Sequence, residues 1–281
     1  MASYILDDKA RFPGTTNPSI DDYARACSKA VDEALEKWPV AQTTENATVS
    51  TGFLGDKKFR STLWTQSFDV STREEDNGTP SLEELLSNLQ DIFSSDDLEK
   101  HAKEWDTTFA GASIVEKLSK NENGNVNDDT ILVHWKFNAS PLAGRDMLYL
   151  VHKLEEEKDD NNNNNKNGRV LRLTYAYASV SDGWVKENTG KEVDYSINND
   201  GVKRVRSFNC YPSCDRITIY NTDEKSTKKI TVDHLLTPEL AGGIVPFMFN
   251  NVFKKALIQQ NAHESEAMRE YVLSLCKTSK K

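Results

Sequence analysis

The side chains able to make or break bonds are few and scattered. His134 and His152 alternate with apolar residues along strand-like stretches and read as surface or core histidines. A general acid or base must instead be held at a reacting proton. Cys210 and Cys214 form a lone pair with no second pair or histidine partner nearby, and Cys27 and Cys276 are isolated. A structural zinc takes about four such ligands, so no metal is expected. Gly242 and Gly243 lack the Lys-Ser/Thr that follows a phosphate loop, and no Gly-x-Ser-x-Gly elbow is present. These residues predict no catalytic group and no cofactor. The chemistry they leave is apolar binding. In the stretch 240–271 the two glycines precede Ile244, Val245, Phe247, Met248, Phe249, Val252, Phe253, Ala256 and Leu257 at helical spacing. That pattern predicts a final helix with a hinge-like start and a broad apolar face, which either closes an ordinary core or lies as a lid over a cavity.

The elements that would position such a helix come from the rest of the chain. With 281 residues the chain can bury a substantial core, and its net charge of -9 gives no basic footprint for nucleic acid or for an anionic membrane held by charge alone. Residues 1–22 show no signal-peptide pattern. The longest apolar run, 244–249, is far short of the roughly 20 residues a spanning helix needs. A soluble, cytoplasmic protein is therefore expected, in which the sequons at Asn46, Asn77 and Asn138 carry no meaning.

Residues 1–18 read as an N-terminal arm. From Ser19 the residues Ile20, Tyr23, Ala24, Cys27, Ala30, Val31, Ala34, Leu35 and Trp38 keep to one helical face, Ser19 and Asp22 resemble a capping box, and Pro39 ends the run. Two or three antiparallel strands follow within 43–72, then a helix after Pro80 and a short one over 96–104 that delivers Trp105 and Asp106. Strands are predicted at 113–119, 130–137, 145–155, 169–180, 202–209, 216–221 and 228–236, separated by turn chemistry that includes the asparagine run 161–165, read as a mobile hairpin tip. Helices set apart from a run of strands indicate an α+β fold. One domain over 19–276 with a tail at 277–281 is expected.

Trp105-Asp106, then Ile114-Val115-Glu116-Lys117-Leu118, Ile131-Leu132-Val133-His134-Trp135-Lys136 and Pro141-Leu142-Ala143-Gly144-Arg145-Asp146 follow one another in an order that resembles the START (StAR-related lipid-transfer) domain family of the Bet v 1-like superfamily. The resemblance covers about 20–271 and implies a helix-grip fold: a curved antiparallel sheet wrapped around a long C-terminal helix, with an internal apolar cavity for one lipid. Under its register Val133 and Trp135 share one strand face, Met147, Tyr149 and Val151 the inward face of the next, and both histidines point away. Trp105 is expected in the core, Asp106 at a cap or turn, and Arg145 with Asp146 in a structural ion pair.

Sterol-type members carry an acidic residue at the position of Trp135 and an arginine at that of Val151, a buried pair this chain lacks entirely. The polar contact then moves to Tyr149, Tyr175, Tyr177 or Arg206. The inward stripe of the last helix, Val245, Phe249, Val252 and Phe253, would floor the cavity, and Phe247 and Met248 would meet the membrane. The function so implied is binding, and transfer between membranes, of one lipid or hydrophobic small molecule by a monomer. The last helix and the loop 181–191 would act as its gate. The rivals are a cyclase- or hydrolase-like enzyme in the same cavity and a lipid-sensing module.

Overall fold

The computed structural model describes residues 6–13, 18–54, 60–71, 89, 97–118, 130–138, 143–159, 169–193, 204–221, 227–239 and 254–277. Helix α1, Ile20–Lys37, starts where the capping box predicts: Ser19 accepts from the Asp22 amide, and the Asp22 carboxylate accepts from the Ser19 amide at 3.1 Å. Its buried face of Ile20, Tyr23, Ala24, Cys27, Ala30, Val31 and Ala34 follows the predicted stripe, but Leu35, expected on it, is 48% exposed, and Trp38 is the C-cap beyond the helix.

Among the described residues eleven strands follow: β1 (Val40–Thr43), β2 (Ala47–Gly52), β3 (Ser61–Ser71), β4 (Phe109–Lys117), β5 (Thr130–Phe137), β6 (Gly144–Asp159), β7 (Arg169–Ser179), β8 (Arg204–Asn209), β9 (Cys214–Asn221), β10 (Thr227–Leu236) and β11 (Pro238–Glu239). Among them lie α2 (Leu98–Trp105) and α3 (Asp182–Thr189), and α4 (Lys254–Lys277) closes the described chain. The sheet order is β1-β2-β3-β10-β9-β7-β6-β5-β4, antiparallel throughout, with β8 joined in parallel to the start of β6 and β11 paired to β8.

Strand periodicity divides the interior into two layers. Val133, Met147, Tyr149, Val151, Leu173, Tyr175, Tyr177, Ile217, Ile219, Ile230, Val232 and Trp64 pack on one face with Leu98, Trp105, Ile258, Ala262, Met268 and Val272 of α2 and α4. Leu132, Leu148, Leu150, Ala176, Ala178, Cys214 and Leu235 pack on the other with α1, Trp184 and Val185. Helix α4 is anchored twice. Glu266 accepts from Thr44 Oγ1 at 2.8 Å and Asn46 Nδ2 at 2.9 Å beside the β1–β2 hairpin, and the Tyr271 hydroxyl meets His101 Nδ1 of α2. A long antiparallel sheet with a C-terminal helix on its inner face is the helix grip.

The segment 181–191, expected as a gating loop, is mostly helical. Ser181 Oγ caps the Trp184 amide, Asp7 holds Ser181 in turn, and Trp184 and Val185 are buried in the outer layer. A capped, packed turn of helix forms here because serine three residues before a buried tryptophan satisfies the helix start locally. Arg145 and Asp146 do not form the expected pair in the side-chain contacts of Asp146, which go to His134 and Arg206. As neighbours on β6 they leave opposite faces of the strand. No helix among the described residues is long and apolar enough to cross a membrane.

Candidate ligand cavity

Between the inner sheet face and α4 lies a cavity of about 170 Å³. Its apolar wall is made by Leu98, Trp105, Trp135, Phe137, Met147, Val151, Leu236 and Pro238. The strand alternation that delivers Trp135, Met147, Tyr149 and Val151 inward is direct: Trp135 faces Met147, and Val133 faces Tyr149, across the β5–β6 ladder. Phe109 of β4 then packs edge-on against Trp135, with centroids 4.9 Å apart.

Of the residues expected to meet a ligand, Trp135, Met147, Tyr149, Val151 and Tyr177 line this cavity together. Val133 and Tyr175 lie in the same inner layer but are fully enclosed by neighbours. Arg206 is elsewhere. Its guanidinium pairs with Asp146 at 3.2 Å and Asp182 at 3.4 Å, outside the cavity lining. A cation on the first residues of β8, next to the parallel start of β6, meets the outward Asp146 and is held there. Val245, Phe247, Met248, Phe249, Val252 and Phe253 lie outside the described residues.

The cavity also has a polar end that sequence reasoning missed. A direct row crosses the sheet in register: Trp64 of β3 faces His234 of β10, His234 faces Asp215 of β9, and Asp215 faces Tyr175 of β7. Within it the His234 Nδ1–H donates to one Asp215 carboxylate oxygen, and the Tyr177 hydroxyl donates to the other. Trp64 stacks on the imidazole at 5.0 Å and Trp105 meets it edge-on at 6.4 Å. Burial lowers the basicity of His234, but Asp215 outweighs it, with Glu264 and Asp106 adding, so the imidazole is held above its ordinary value.

Asp106 is the cap of α2 that the sequence suggests, yet it also lines the cavity. It accepts from the Thr108 amide at 2.9 Å and the Thr108 hydroxyl at 2.8 Å. Burial raises its carboxyl despite those bonds. Glu264 comes from α4, where Gln260 Nε2 donates to it at 2.9 Å. Burial, then Asp106, push it up to about 7. Burial also pushes the Tyr149 and Tyr177 hydroxyls well up, so both are neutral. The sequence signals for this cluster are thin: one histidine between Asp233 and Leu235, and an aspartate beside Cys214. His134 and His152 face outward to Asp146 and Asp21. Among the described residues no group of acidic, histidine and cysteine side chains could hold a metal ion.

No family model matches the chain, and no curated protein is similar enough to match it. Solved structures similar to it include human STARD10, at 12% identity over 94% of this chain and 82% of that one, with a TM-score of 0.49. Human StAR-related lipid transfer protein 5 is 13% identical over 89% of this chain and 97% of its own, with a TM-score of 0.45. The Zhui aromatase/cyclase from Streptomyces is 9% identical over 76% and 94%, with a TM-score of 0.38. The fold is a helix grip. Its sheet order, strand register and C-terminal helix on the inner sheet face define that grip.

Proposed function

We propose that this protein binds one lipid or other hydrophobic small molecule in the cavity beneath α4 and carries it between membranes as a soluble monomer. The supporting observation is the cavity itself: a largely apolar wall that ends in a set of polar groups, as small-molecule sites generally do. Transfer requires no bond chemistry, only reversible opening. The segment leading into α4, with Phe247 and Met248 at the bilayer, would supply that opening, since a few inserted apolar side chains attach weakly and release readily. Native mass spectrometry of the purified full chain tests the reading. One lipid-like adduct per chain is expected, and a chain that carries none and takes up none from a panel of lipids would sink it.

A second reading, a cyclase- or hydrolase-like enzyme in the same cavity, is favoured by one observation. The His234–Asp215–Tyr177 group and Glu264 are titratable side chains on the cavity wall, which is where acid–base chemistry is done. Turnover of a bound hydrophobe that stops in His234→Gln would favour the enzyme over the carrier.

A further inference from the structure

The polar end of the cavity has a hydrogen-bond donor to spare. Asn261, one turn before Glu264 on α4, lines the space and is 3% exposed, yet its amide Nδ2 has no hydrogen-bond partner. Buried polar groups are almost always paired, so this nitrogen marks where an acceptor on a ligand belongs. On the facing sheet wall His234 lines the same cavity. Its Nδ1 is engaged by Asp215, which leaves Nε2 as the ring atom for a ligand. Against its burial, Asp215 and its other acidic neighbours raise the imidazole, which favours a second proton at Nε2 and makes that atom a donor too.

The acceptors beside these donors are largely occupied. Both Asp215 oxygens are taken, one by His234 and one by Tyr177. Asp106 Oδ1 receives the amide and the hydroxyl of Thr108, and Glu264 Oε1 receives Gln260. Burial, then Asp106, push Glu264 up to about 7, so below that value its carboxyl offers a further donor.

This balance sorts the possible heads of a ligand. An ammonium only donates and leaves Asn261 unpaired. A carboxylate or phosphate accepts, but the described lining holds three carboxylates and no lysine or arginine, so the charge would lose its hydration with no counter-ion to replace it. A hydroxyl accepts, yet it brings a proton of its own to a place short of acceptors. A carbonyl oxygen is uncharged, has two lone pairs and donates nothing.

Resting on the reading that the cavity takes a hydrophobic molecule, we infer that its ligand carries an uncharged carbonyl, a ketone or an ester, whose oxygen accepts from Asn261 Nδ2 of α4 and from His234 Nε2 of β10. Its apolar part lies along Trp135, Phe137, Met147 and Leu236. The oxygen thereby bridges the closing helix and the sheet.

The test titrates the full chain by calorimetry at neutral pH with octan-2-one, octan-2-ol and protonated octan-2-amine, which share one carbon skeleton. The ketone is expected to bind about tenfold tighter than the alcohol, the effect of one further hydrogen bond, and the ammonium more weakly still. The infrared C=O band of the bound ketone is expected at lower frequency than in alkane. In Asn261→Leu that band should move back toward the alkane value and ketone affinity should fall by about tenfold. The alcohol or the ammonium binding as tightly as the ketone overturns the carbonyl assignment and leaves the pocket standing. An unshifted band in the wild type does the same and depends on no variant folding. A band and a ketone preference that both survive Asn261→Leu overturn the role of Asn261. Failure of all three probes to bind overturns the pocket reading with it.

Discussion

His234 and Asp215 are direct partners across the β9–β10 ladder, and the imidazole Nδ1 donates to the carboxylate inside the cavity wall. The same carboxylate receives the Tyr177 hydroxyl from β7. One buried aspartate thus fixes two side chains on two different strands. Asp215→Asn is expected to destabilise the fold by about 3 kcal/mol, the usual result of leaving a buried partner uncompensated, measured by denaturant unfolding. In the same variant the His234 resonance should titrate at lower pH than in the wild type, because the carboxylate is what holds its value up. An unchanged titration would remove Asp215 as the cause.

Glu264 gives stability a definite pH slope. Its folded value of about 7 lies above the ordinary 4.5, so between those values the folded chain holds a proton that the unfolded chain has lost. Stability should therefore fall as pH rises from about 4.5 to about 7. The raised value of His234 acts in the same direction, its contribution being lost as pH passes its folded value. Burial, Asp106, Gln260 and His234 set the Glu264 value, and Glu264→Gln is expected to flatten the slope in a series of melting temperatures from pH 5 to 7.5. A variant with the wild-type slope would show that another group carries it.

Val151 lines the apolar wall and is 2% exposed. Val151→Phe should fill ligand space at an overpacking cost of about 1–3 kcal/mol. The expected outcome is a folded chain by circular dichroism that retains roughly a tenth or less of the bound hydrophobe. Full uptake would mean that the ligand lies elsewhere.

Glu266 ties α4 to the β1–β2 hairpin through Thr44 and Asn46. Glu266→Ala should cost about 1–3 kcal/mol for two bonds to a charged acceptor. Hydrogen exchange should accelerate first in β1 and β2 and not in β5 and β6. Uniform acceleration would indicate global destabilisation instead.

Phe247 and Met248 are the residues for which the sequence predicts membrane contact. The double change to Asp should abolish transfer between liposomes while leaving binding of a soluble probe. Loss of both would assign the pair to folding.

Periodicity is a local property, and that is why the sequence by itself determined so much. The capping box of Ser19 and Asp22, the α1 stripe and the strand over 130–137 follow from side chains a few residues apart. The inward set of Trp135, Met147, Tyr149 and Val151 follows from period-two alternation once one face is assigned. The row Trp64–His234–Asp215 could not be read in this way. Its members sit 19 and 170 residues apart along the chain, and their common height depends on the register of β3, β10 and β9, which is set by ladders closed over those distances. Tertiary placement likewise gave Asp106 a second role beyond its cap, delivered Glu264 from α4 to the same cluster, and took Arg206 out of the cavity by pairing it with Asp146 and Asp182. Alternation says which face a residue takes; only long-range register decides which residues meet there.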